Sequence, residues 1–440
     1  MTTLVISGGR VLDPSEGVDA ALDVIVRNGA IAELLPAGTA AGDTIIDAAG
    51  CLVVPGLVDL HAHLREPGFE QKGTIATETL AALRGGFTTI CAMPNTDPPP
   101  DSASEVDALL ERIERNAHVR VFPIGCITRE RAGTSLAELG ELAAAGCVAF
   151  SDDGNPVANA GLMRRALEIA GALGIPLSEH CDTPELSAGG VMNEGAISER
   201  LGLFGEPAAA EIIAIARNVA LAEATGAHLH VAHVTTARGV EIIGEARRRG
   251  VAVTCEVTPS HLFLTEDAVF GRGPEPAYDT NARINPPLRT EADRIALLRA
   301  LNDGTIDAIA TDHAPHATED KLCEFDQAAP GISCAETALA TIMTLVSRGE
   351  LELTAALRAM TAGPVQAFAL HRRVPGIGTL RPGAPADITV INPVERWTVD
   401  TREFASRGKN TPLDGVELIG RVVAVVRQGV AAMELESLHG

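Results

Sequence analysis

Two histidines one residue apart, His61 and His63, are the first residues in this chain whose spacing could do chemistry. Alternate side chains of an extended strand face the same way, so the pair in "DLHAH" can grip one metal ion. Further donors stand where later apolar runs end: His180 in "SEHC", His233 in "VAHV", Asp312 in "ATDHAPH", and the adjacent Asp152 and Asp153 in "FSDDGNP". Imidazole and carboxylate without thiolate suit zinc, and the same set would hold manganese or cobalt. A second pair, His228 and His230, shares its run with His233 but has the opposite parity. If His233 faces inward, that pair is expected to face the helices. "FSDDGNP" is also a turn by composition, so whether its aspartates bind metal depends on what positions them.

The elements that would position them are eight apolar runs: "GLVDLHAH", "FTTICAMPN", "VRVFPIGCIT", "CVAFSDDG", "IPLSEHC", "HLHVAHV", "VAVTCEVTPSH" and "DAIATDHAPH". Helical patterns lie between them. In "ASEVDALLERIERN", Val106, Leu109, Leu110 and Ile113 recur at i, i+3, i+4 and i+7, one face of a helix. "AGLMRRALEIAGALG" and "TTARGVEIIGEARRRG" behave alike. The alternation predicts an α/β fold, a (β/α)8 TIM-type barrel, with a doubly wound open sheet as the alternative. Active sites of such barrels lie at the C-terminal strand ends, where these histidines and aspartates fall. Both termini instead show short alternating runs broken by Gly and Asn. Residues 1–53 and 370–440 are therefore expected to form one small composite β-sandwich domain beside a catalytic barrel at 54–369.

Bulk properties exclude several classes. A net charge of -23 argues against nucleic acid as a partner. Apolar runs are short of a membrane span, and "MTTLVISGGR" lacks a signal-peptide pattern, so a cytoplasmic protein is expected. None of the 8 cysteines has CxxC spacing; buried free thiols are the expectation. Lysine occurs only at 72, 321 and 409.

The motifs "DLHAHLREPG", "GGFTTICAMPNTDP", "FSDDG", "SEHC", "VAHVTT", "INPPLR" and "ATDHAPH" resemble, in order, those of the dihydroorotases of the amidohydrolase superfamily, in their long bacterial (class I) form. The resemblance runs on to "GTLRPGAPADITVINP". It implies reversible cyclisation of N-carbamoyl-L-aspartate to L-dihydroorotate in pyrimidine biosynthesis, with two Zn2+ per chain. His61, His63 and Asp312 would hold one ion, His180 and His233 the other, and Asp312 would also be the catalytic base. Many superfamily members bridge the ions with a carbamylated lysine on strand four. No lysine lies between Lys72 and Lys321 here, and the matching bridge is Asp153, with Asp152 as alternative. Arg65, Asn95 and His316 match residues that hold the substrate carboxylate, Asn285 one that reads the ring amides, and Pro330 and Gly331 a loop that contacts substrate. Arg65 could instead form a surface ion pair with Glu66 or another acid, and His316 could be a supporting loop histidine. Three positions depart from the pattern: Ser260 replaces a common histidine, Pro330 an aromatic and Gly363 an asparagine. The alternatives are a hydantoinase or allantoinase, or a non-catalytic scaffold for aspartate transcarbamoylase. That protein is also the candidate partner of an active chain, and a homo-oligomer is the expected assembly.

Overall fold

The computed structural model describes residues 3–272 and 278–434. Residues 1–2 and 435–440, assigned to the terminal β domain from sequence, lie outside these.

All eight apolar runs become strands: β1 (Leu57–Ala62), β2 (Phe87–Ala92), β3 (Arg120–Gly125), β4 (Ala149–Phe150), β5 (Leu177–Glu179), β6 (Leu229–Val231), β7 (Val253–Val257) and β8 (Ala308–Ile309). They lie side by side in chain order, every pair parallel. The ring closes where Ala62 bridges His313 in parallel and the His63 amide donates to His313 O at 3.0 Å. Asp59 reinforces the seam, its Oδ1 accepting from Thr311 N at 2.8 Å and its Oδ2 from Thr311 Oγ1 at 2.6 Å.

Two apolar layers hold the barrel. Inside, Val58, Leu60, Cys91, Ile124, Ala149 and Ala308 pack with Phe368 and Leu370 from the chain beyond β8. Outside, the strands pack on amphipathic helices. The helix Ala103–Asn116 shows why these form: Ser102 caps its first turn, and Val106, Leu109 and Ile113 turn to the core. Burying each such side chain contributes about 1.5–3 kcal/mol.

The termini build a separate eight-stranded sheet. Leu52–Pro55 is its junction, parallel to the first strand (Thr3–Asp13) and antiparallel to Ile388–Thr398 from the far end of the chain. Two hairpins turn on Asn28-Gly29 and Gln428-Gly429, all four residues at positive φ, as two-residue loops of the I′ kind require. The sheet has its own core, with Ile6, Val24, Val53, Ile388 and Val426 among its members. Cys323 is exposed; the other seven cysteines are buried, and all are free. No described helix is long and apolar enough to cross a membrane.

Candidate metal centre

The strand ends aim polar side chains at one point. The register of β1 against β2 shifts between Asp59 and Ala62, a bulge of the kind that re-aims side chains beside active sites. β4 is two residues long and breaks into a turn carrying Asp152 and Asp153, with Gly154 at φ +77°. His180 follows β5 directly. His233 and Asp312 stand just past β6 and β8 at φ +30° and +47°, conformations that cost a non-glycine residue about 1–3 kcal/mol and need strong surroundings to persist.

His61, His63, Asp153, His180, His233 and Asp312 are all buried and meet. Asp153 Oδ1 lies 3.4 Å from His61 Nε2, 3.4 Å from His233 Nε2 and 3.9 Å from His180 Nδ1, while its Oδ2 is 3.7 Å from His63 Nε2. Asp312 Oδ1 is 2.9 Å from His63 Nε2 and 3.4 Å from His61 Nε2. His180 Nδ1 and His233 Nε2 face each other at 3.0 Å. Two overlapping sets, His61–His63–Asp312 and His61–Asp153–His233, each bring one donor atom per residue within 4.8 Å of the others.

These residues fit divalent cations. His61 Nε2 and Asp153 Oδ1 are buried without a hydrogen-bond partner, a state costing about 1–3 kcal/mol per group that a shared cation would relieve. Charge points the same way. Burial would raise the Asp153 carboxyl, but His61, His233 and His63 hold it well below the usual range. Burial works against ionised Asp312 too, and His61 and His63 overcome it. Burial and the neighbouring His233 push His180 down to about 4. Burial would lower His61, but Asp153 and Asp312 raise it well above its ordinary value. A cation would replace that proton, as deprotonated ligands require.

The outer ring nitrogens are held as ligand histidines need. His61 Nδ1 meets Glu256 Oε1 at 2.8 Å and His63 Nδ1 meets Asn95 Oδ1 at 2.7 Å. Both contacts leave Nε2 directed toward the centre. Glu256, which holds the outer nitrogen of a candidate ligand, is a residue the sequence reading missed. Its one signal is a lone carboxylate in the apolar run "VAVTCEVTPSH". Replacing Glu256 by glutamine is expected to weaken metal binding about 10–100-fold, measured by competition with a chromogenic chelator; unchanged affinity would remove Glu256 from the site.

The expectation for His228 and His230 needs correction. His230 points into the barrel: its ring packs edge-on against Phe368 of the inner cluster at 5.0 Å, and its Nε2 lies 3.2 Å from Glu256 Oε2. Both His228 and His230 also contact Thr254 Oγ1 at 2.8 Å. Parity failed because strand alternation stops at Val231, and the left-handed backbone at His233 turns that side chain inward as well.

Around the centre, Asp152 and Asp153 separate. Asp152 accepts from the amides of Ile127 at 2.9 Å and Thr128 at 3.1 Å and from the Thr128 hydroxyl, which makes it the brace of the turn. Arg65 does not pair with Glu66, which binds the Ile75 amide and Arg112 instead. Arg65 Nε donates to Pro315 O at 3.1 Å, and among the described residues no carboxylate lies in ion-pair range of its guanidinium. His316 Nε2–H donates to Pro330 O at 2.9 Å, and its Nδ1 faces Lys72 Nζ at 3.4 Å. Burial with Arg65, Lys72 and Lys321 nearby pushes His316 down to about 3, so it is neutral. Asn95 also gives its Nδ2 to Asp153 Oδ2 at 3.2 Å, so both ends of its amide serve the centre. Asn285 and Pro330 are exposed and Gly331 is buried.

Residues 50–238 match the family described as dihydro-orotase-like, and residues 197–432 match the amidohydrolase family. A dihydroorotase of Citrifermentans bemidjiense is 48% identical over 431 residues, covering 97% of this chain and 98% of that one. One of Pelobacter propionicus is 50% identical over 428 residues, covering 97% and 98%. Among solved structures, the L-hydantoinase (dihydropyrimidinase) of Arthrobacter aurescens superposes with a TM-score of 0.87 at 25% identity, covering 99% of this chain and 96% of that one.

Proposed function

The chain belongs to the dihydroorotase family of cyclic amide hydrolases within the metal-dependent amidohydrolases, and from that premise we propose that it interconverts N-carbamoyl-L-aspartate and L-dihydroorotate at the histidine–aspartate centre. His61, His63 and Asp312 would hold one zinc ion, His180 and His233 a second, with Asp153 between them; nitrogen and oxygen donors without thiolate support that choice. When bound, such ions make water nucleophilic near neutral pH and polarise an amide carbonyl.

The chain's own residues supply the rest. Asp312, ionised and with its Oδ1 2.9 Å from His63 Nε2, takes the proton of the attacking water during ring opening and delivers it to the departing ring nitrogen. Closure runs the same transfers backwards. Closure consumes one proton, so lower pH favours the ring and higher pH the open dianion. Arg65 presents a planar fork to the ring carboxylate. His316, neutral, holds Pro330 and Gly331 against that pocket. Asn285 would meet the ring amides.

Arg65 is the observation that carries this reading. An arginine beside the centre with no carboxylate in ion-pair range among the described residues calls for an anionic substrate, and hydantoin and allantoin carry no ring carboxylate. The structural likeness to a hydantoinase reflects shared fold, which alone does not set substrate. Turnover of L-dihydroorotate, hydantoin and allantoin side by side is the test. We expect activity on the first; activity only on the other two would overturn the reading.

Filled ligand positions weigh against a purely scaffolding chain, and a protein that binds no zinc after supplementation would support one. Cytoplasmic location, homo-oligomer formation and association with aspartate transcarbamoylase complete the proposal. Assaying the isolated chain with and without aspartate transcarbamoylase tests whether that partner is needed for activity.

A further inference from the structure

The residues proposed to hold the substrate carboxylate hang on two short stretches. One is Ala314–His316 after β8, which carries His316 and accepts Arg65 through Pro315 O. The other is 330–333, whose Pro330 carbonyl accepts from His316. Neither belongs to a helix or strand; an isolated bridge of His313 to Ile332 and the bond from Ala314 N to Ile332 O at 2.9 Å tie them at one point, and substrate positioning requires that the rest of each stretch be fixed as well.

We propose that Asn410, far along the chain beyond the barrel, is the positioning residue that joins these two stretches and sets the carboxylate pocket. Its side chain is 4% exposed. The amide nitrogen donates to Ala314 O at 3.0 Å and to Gly331 O at 2.9 Å. The amide oxygen accepts from His316 N at 2.8 Å and from Ser333 Oγ at 2.8 Å. Two donors and two acceptor positions are all that a carboxamide has, and both halves are divided evenly between the two stretches. Its backbone adds a fifth link, Ser333 N to Asn410 O at 2.8 Å.

The approach of this segment is independently close. A Cβ on Gly408 would lie 2.6 Å from Pro315 Cβ and 2.7 Å from the His316 amide nitrogen. One on Gly331 would lie 2.7 Å from Ala314 Cβ and 3.0 Å from His316 Nε2. Bare backbone is therefore needed on both sides of His316. The segment itself is pinned from behind. Glu336 accepts from the amides of Ala405 at 2.9 Å and Ser406 at 3.2 Å. Lys409 Nζ donates to Ser406 O at 2.8 Å. Asn410 touches none of the candidate metal ligands, so its loss acts on substrate and not on metal.

The proposal rests on the carboxylate-pocket reading above, and the test separates the two. Asn410→Ala, Asn410→Asp and Gly408→Ala are purified with zinc, alongside Arg65→Met. Asn410→Asp keeps the acceptors for His316 and Ser333 but sets carboxylate oxygens against two carbonyls. Gly408→Ala displaces the segment without changing Asn410, which guards against one variant failing to fold. In each of these three, KM for L-dihydroorotate is expected to rise about 10–100-fold, the scale of a misplaced binding group. kcat should stay within about threefold and zinc content should not change, the pattern of lost uniform binding. A lower melting temperature with unchanged KM would reduce Asn410 to a structural residue and overturn the proposal. If Arg65→Met also leaves KM unchanged, the carboxylate-pocket reading fails with it. If Arg65→Met raises KM and the Asn410 and Gly408 variants do not, only the positioning role fails.

Discussion

Asp153→Ala is expected to bind fewer than two equivalents of zinc and to lose more than about 100-fold in turnover, while Asp152→Ala keeps its metal and most of its activity. Adjacent aspartates in one turn give opposite results because they face opposite ways. Asp153 Oδ1 stands within 3.4–3.9 Å of ring nitrogens of His61, His233 and His180, so both proposed ligand sets meet on one carboxylate. Removing it leaves two groups of histidines with nothing between them. Asp152 faces the other wall of the turn, where it satisfies two amides and a hydroxyl. Its loss strands those buried donors, at about 1–3 kcal/mol each, and should appear as a lower melting temperature. Metal analysis, thermal denaturation and turnover on both variants decide the matter. The reverse ranking would assign the bridge to Asp152.

Asp312→Asn is expected to retain most of the metal and to lose about 10²–10⁴-fold in kcat. Asparagine keeps the shape and an oxygen toward His63 Nε2, now 2.9 Å from Asp312 Oδ1, but it cannot accept a proton. The loss must also be symmetrical. A variant enzyme cannot move the equilibrium between open and closed substrate, so kcat/KM should fall by the same factor in both directions. Near-normal turnover would remove Asp312 as the base. Loss of metal in parallel with activity would make it a ligand only.

The architecture was legible because each barrel strand is a local apolar run, and a parallel barrel puts every strand end on one face. That rule alone gathered His61, His63, the Asp152–Asp153 pair, His180, His233 and Asp312; the preference for Asp153 within the pair came from the dihydroorotase resemblance. The absence of lysine across the middle of the chain then drew attention to the aspartate turn. What stayed hidden depends on contacts that local pattern does not encode. Glu256 reaches His61 across 195 positions, and Asn410 reaches His316 across 94. The side taken by His230 was misread because alternation holds only while the strand lasts, and β6 ends two residues before His233. Arg65 and Glu66 are neighbours in sequence, yet separate partners keep them apart.

The late position of Asn410 and of the strand Ile388–Thr398 gives the chain a schedule. A ribosome that has made the chain as far as about residue 320 has synthesised all six candidate ligands but not the segment that braces His316. At about 5–20 residues per second, the remaining stretch to Asn410 takes on the order of 5–20 seconds. During that interval the inner core still awaits Phe368 and Leu370, and the stretch around His316 still awaits its brace. The edge of Leu52–Pro55 would meanwhile lie open until its antiparallel partner arrives.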